Sequence, residues 1–162
     1  MARISREQRE QNFAKYNEII LQIFLNEGWE YITYDRLSRD TGLRKSTLQG
    51  YYPTNQHFEV AIRGKIFPII MHHLDFTDRN ALFSSWKEAM KNTQFRMVMR
   101  MFVMQSYKSG GDGSSRLGVI KLGQLIAHHL PNHDPLTLIR ELFGLTVTDL
   151  LNIDDIPTNP SK

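Results

Sequence analysis

Apolar side chains in this chain return every three or four residues and scarcely ever alternate, a pattern that favours helices and leaves little room for strands. Phe13, Tyr16, Ile20, Ile23 and Phe24 line one face of a helix that Gly28 ends. Thr33 is placed to cap a second helix, from about Tyr34 to Asp40. "TGL" then makes a tight turn into a third, short helix from about Arg44 to Gln49, which Gly50 and Pro53 stop. Thr54 is placed to cap a fourth helix reaching about Lys65, and Pro68 implies a change of direction. Further helices are expected at about 69–75, 79–91, 94–108, 115–130 and 134–151, and "SGGDGSS" at 109–115 reads as a loop. The expected fold is all-α: about nine helices, an N-terminal three-helix unit with a helix-turn-helix, then a C-terminal helical bundle.

The 162 residues suffice for one domain or two small ones, and the expected division is 1–65 and 66–162. No apolar run approaches the roughly 18 residues of a membrane span. The opening "MARISREQREQNF" is too polar for a signal peptide. Cysteine is absent, so disulfides and thiolate ligands are excluded. These features fit a cytoplasmic protein. The net charge of +3 permits a nucleic-acid partner without requiring one.

The segment "LSRDTGLRKSTLQGYYPTNQHF", residues 37–58, carries a more pointed signal. Leu37 and Leu48 are spaced to pack two helices together, with Leu43 at the corner and Gly42 at a turn position suited to positive φ. One face of the second helix is then left for Arg44, Lys45, Thr47, Gln49 and Tyr51, with no acid between Asp40 and Glu59. Cations attract phosphates, hydroxyls donate to phosphate oxygens, and Gln pairs bidentately with adenine in the major groove. An ordinary solvated helix is the plainer reading of the same residues.

Residues 13–65 resemble the DNA-binding domain of the TetR family of bacterial transcriptional regulators. The matching residues are Gly28-Trp29 after the first helix, Thr33 opening the second, and Thr41-Gly42-Leu43 at the turn. Lys45-Ser46-Thr47-Leu48 and Tyr51-Tyr52-Pro53 follow in register. The resemblance implies DNA contacts by Thr33, Arg44, Lys45, Ser46, Thr47, Gln49, Tyr51, Tyr52 and Asn55. Gln49 stands where family members often carry an aromatic, Gly50 where they often carry His, and Asn55 where many carry Lys. Two copies related by a two-fold axis, a homodimer, would read a near-palindromic double-stranded operator, and no cofactor is expected.

The C-terminal half is less specific. Trp86, Met90, Phe95, Met101, Phe102 and Gln105 are candidate walls of a ligand pocket for a small, mainly apolar effector, because methionine adapts to irregular apolar cavities. Plain core packing explains them equally. Leu117, Ile120, Leu138, Leu142 and Leu145 make the last two helices more apolar than a monomer surface needs, with Gly118, Gly123 and Gly144 allowing close approach. A dimer built as a four-helix bundle is the expectation, and a monomeric core is the alternative. His72-His73 and His128-His129 do not chelate easily, since adjacent helical residues diverge, so no metal is expected. No nucleophile elbow, P-loop or zinc-protease motif appears, so no enzyme is expected.

The expected function is a sequence-specific, dimeric DNA-binding regulator, a repressor released by a small ligand. The alternative is a TetR-like DNA-binding protein without such a ligand, acting through a protein partner or in chromosome organisation.

Overall fold

A computed structural model describes residues 4–108 and 113–158. Among these there are eight α-helices, two 3-10 segments and no strand. The "SGGDGSS" loop lies largely outside the described residues. The chain divides into two compact units, Met1–Pro68 and Ile69–Lys162.

In the first unit α1 spans Arg6–Asn26, a 3-10 turn Trp29–Tyr31, α2 Tyr34–Thr41, α3 Lys45–Tyr51 and a second 3-10 segment Asn55–Ala61. Ser5 caps α1 by accepting from the Gln8 amide at 3.1 Å. Tyr16, Ile20, Ile23 and Phe24 are buried along α1. Glu27 follows, and Gly28 takes φ 116°, a value closed to most side chains. Leu37, Leu48, Tyr52 and Phe58 are fully buried. Tyr34 and Tyr52 each pack a ring on Phe58, at 5.1 and 5.3 Å, and Phe13 packs on Tyr52 at 5.4 Å.

Two expectations need correction here. The segment after Thr54 is a 3-10 helix, not an α-helix to Lys65. His57, Ile62 and Lys65 donate their amides three residues back, and Gly64 then takes φ 76°. The chain does not change direction at Pro68 either. This proline is the third residue of α4, Ile66–His73, inside the first turn, where a missing N–H forfeits no intrahelical bond.

The second unit continues with α5, Arg79–Ala89, α6, Thr93–Lys108, α7, Ser114–His129, and α8, Pro135–Leu150. Asp78 caps α5 through the Ala81 amide at 2.8 Å, and Asp134 caps α8 through Thr137 at 2.8 Å, with Pro135 in the first turn. Asn92 accepts from the Gln94 and Phe95 amides at the start of α6. At the other end of α8, Arg96 donates to the Asp149 carbonyl at 2.8 Å, which also accepts from the Asn152 amide at 3.0 Å. The core gathers Leu82, Trp86, Phe95, Val98, Met99, Leu122, Ile126, Leu138 and Leu142. Its one buried polar side chain among the described residues, Thr146, accepts from Trp86 Nε1 at 3.0 Å and donates to the Leu142 carbonyl at 2.9 Å. A Cβ on Gly118 would sit 3.1 Å from Phe102, and one on Gly123 3.2 Å from Ile139, so those glycines let α7 lie close to α6 and α8.

Candidate nucleic-acid interface

The helix-turn-helix is built from short-range bonds. Thr33 Oγ1 accepts from the Arg36 amide at 3.1 Å and starts α2. Gly42 ends it in the left-handed conformation, φ 73°, with its amide on the Ser38 carbonyl at 2.9 Å. Thr41 Oγ1 donates to the Leu37 carbonyl and accepts from the Leu43 amide, while Ser38 Oγ donates to the Leu43 carbonyl. Three side-chain bonds thus hold the turn before α3 begins.

Arg36 ties α2 back to the end of α1. Its two terminal nitrogens donate to Glu27 at 2.7 and 2.6 Å, and its Nε to Asp40 at 2.7 Å. The hydrogen bonding from Arg36 holds the Glu27 carboxyl below the ordinary carboxylate range, against a smaller opposing effect of burial.

With Leu48 as its buried anchor, α3 turns Lys45, Ser46, Thr47, Gln49 and the preceding Arg44 outward. Thr33 and Asn55 are exposed as well. Tyr51 is half-buried. Its ring stacks on Phe13 at 6.2 Å, meets the edge of Tyr16 at 5.1 Å and lies under the Arg9 guanidinium at 4.6 Å. Arg9 also donates to the Gly50 carbonyl at 2.7 Å, so the end of α3 is held against α1.

Tyr52 is a correction. It was expected on DNA, but it is fully buried and its hydroxyl donates to Asn17 Oδ1 at 2.6 Å. Burial raises its pKa, and no face of the ring is left for a phosphate. The acid-free character of α3 holds along the chain but not in space, because the Asp35 carboxylate on α2 forms an ion pair with Lys45. Sequence reading missed both Asp35 and Arg9. Asp35 lies ten positions before Lys45 across a turn, and Arg9 lies on another helix, so neither spacing is a helical one.

The candidate residues of the second unit divide by burial. Trp86, Met90 and Phe95 belong to the closed core, the first and last ring to ring at 5.3 Å. Met101, Phe102 and Gln105 are partly exposed on α6, and Ser115 donates to Gln105. Leu138 and Leu142, expected in a dimer seam, are buried in the unit's own core instead. Helix α8 is apolar on two sides, and these leucines lie on the inner one. Leu117 and Ile120 are exposed, and Leu145 is partly so. His73 packs edge-on to Phe95 at 5.6 Å, and His129 lies 5.5 Å from Phe76. Among the described residues no three metal-ligating side chains gather. No helix among them is long and apolar enough to cross a membrane.

A family model described as the tetracycline repressor LuxT C-terminal domain matches residues 63–150, more than half of the chain. The chain belongs to the TetR family. The all-helical TetR-like fold and the match agree, and this TetR-family chain is a transcriptional regulator. No curated protein matches it. The match covers α4 through α8, whereas the resemblance of residues 13–65 rests on the helix-turn-helix, so the two pointers to TetR come largely from different parts of the chain.

Proposed function

We propose that the protein is a sequence-specific, dimeric DNA-binding repressor, with residues 1–65 contacting DNA and 66–162 dimerising and sensing a small ligand. The observation that carries the first part is the outward row Arg44, Lys45, Ser46, Thr47 and Gln49 on a short helix anchored through Leu48. Lys45 and Thr47 contact phosphates, with Thr33, Ser46 and Asn55 at the margin. Gln49 or Arg44 reaches a base edge in the major groove. Tyr51 contributes from the rear of α3 through its hydroxyl, which also accepts from Asn12 at 3.4 Å.

A single helix-turn-helix reads few base pairs, and a two-fold pair reads a near-palindrome with half-sites about 34 Å apart or a multiple of that. The surface that supports pairing is apolar and outward-facing: Leu117 is 58% exposed on α7, and on α8 Leu136 is 52% and Val147 40% exposed. A Cβ at Gly144, between Leu136 and Val147 on α8, would meet open space. Leu117 and Ile120 remain in this proposed seam, whereas Leu145, seven residues after Leu138, lies toward the inner stripe of α8.

The effector is small and mainly apolar, with Met101, Phe102 and the polar end of Gln105 as its partly open contacts. It must bind one state of the protein better than the other to release DNA. The test of the whole reading is selection of bound duplex from a random library. A near-palindromic consensus is expected, and failure to enrich any sequence contradicts it.

A further inference from the structure

Lys45 is the lysine of α3, and the α2 residue Asp35 already occupies it. Both side chains are open to solvent, Lys45 55% and Asp35 80% exposed, so the pair exchanges readily. Asp35 is not needed to cap α2, since Thr33 does so. The core does not need it either, because its side chain lies at the surface. Besides standing in the first turn of α2, where a negative charge favours the helix, the carboxylate neutralises the cation that faces outward from the candidate DNA-binding helix.

From this contact we infer that Asp35 is a built-in competitor of the DNA phosphate, which sets the affinity and salt dependence of binding through Lys45. The inference rests on the DNA-binding reading above. In the free protein the Asp35 carboxylate satisfies Lys45. On DNA, Lys45 exchanges that carboxylate for a phosphate oxygen, and Asp35 is left near a negatively charged backbone. The net charge released to solvent on binding is therefore smaller than the cation count of α3 implies, because a freed Asp35 attracts a cation as the DNA loses one. Such a device weakens binding to every duplex alike. It leaves base contacts to decide which duplex is held, since phosphate contacts carry no sequence information.

The experiment compares wild type, Asp35→Asn, Lys45→Gln and the double variant. Fluorescence anisotropy is measured with an arbitrary labelled duplex at several salt concentrations. Asparagine keeps the size of the side chain and removes the charge, and circular dichroism checks that each variant is folded. Asp35→Asn should bind more tightly at low salt, by up to about fivefold, the fold-change of one exposed ion pair. Its log–log salt slope should steepen by up to about 0.9. In the Lys45→Gln background the same substitution should change the slope little. Equal affinity and slope for wild type and Asp35→Asn overturn the inference while leaving the DNA-binding reading intact. An equal gain with and without Lys45 also overturns it, because Asp35 would then act by general charge. Binding of no duplex by any of the folded proteins overturns the DNA-binding reading itself, and this inference with it.

Discussion

Arg36 grips both carboxylate oxygens of Glu27, at 2.7 and 2.6 Å, and so fastens the start of the helix-turn-helix to the end of α1. The bond lowers the Glu27 pKa. A depressed carboxylate stabilises the fold above its unfolded pKa, about 4.3, and loses that contribution as pH falls through the lower folded value. Glu27→Gln should therefore lower the urea midpoint near neutral pH and make the fall in midpoint on acidification shallower than in wild type. Parallel urea titrations at about pH 7 and about pH 3 check this. The same acid-induced loss in both proteins contradicts it.

Gly42, in the turn before α3, and Gly50, inside α3, should respond to alanine in opposite ways. Gly42 has φ 73°, where a Cβ is strained, so Gly42→Ala should destabilise by about 1–2 kcal/mol. Gly50 is helical and a Cβ there meets nothing within 4 Å, so Gly50→Ala should stabilise by about 0.5–1 kcal/mol. Thermal unfolding of the two variants reads the contrast directly.

Thr146→Val removes the acceptor of the buried Trp86 indole at nearly constant volume. An orphaned buried donor costs about 1–3 kcal/mol. Denaturant unfolding followed by tryptophan fluorescence should show that loss. Serine at this position keeps a hydroxyl and should recover part of it.

Val147→Asp and Leu142→Asp separate the two faces of α8. Val147 faces outward and belongs to the proposed seam, so its aspartate variant should stay folded and sediment as a monomer. Leu142 is fully buried, so its variant should lose the helical signal of the second unit. A folded, dimeric Val147→Asp protein removes this face from the interface.

Local signals made much of the fold legible. Thr33, Gly42 and Gly28 each act within a few residues, and the helices they bound lie where their chemistry puts them. What escaped the sequence depends on three-dimensional neighbours. Leu138 and Leu142, four residues apart, mark one apolar stripe of α8, Leu136 and Val147, eleven apart, mark another on its other side, and periodicity alone does not say which faces inward. Tyr51 and Tyr52 look alike in sequence, but only Tyr52 falls into the aromatic cluster with Phe58 and is closed off from solvent. The pairs Asp35–Lys45 and Arg9–Gly50 bridge separate helices and have no periodic signature. For the candidate DNA surface, residue types suggested the basic face, while burial removed Tyr52 and geometry added Asp35.

The measurement that bears most directly on the central claim is binding of Lys45→Ala and Gln49→Ala to the selected duplex and its single-base variants, by anisotropy across salt concentrations. If α3 lies in the major groove, Lys45→Ala weakens binding to all sequences and lowers the salt slope by about 1. Gln49→Ala instead loses discrimination at one position, by roughly 1–3 kcal/mol. Wild-type affinity, salt slope and base preference in both folded variants would contradict the claim that this helix reads DNA.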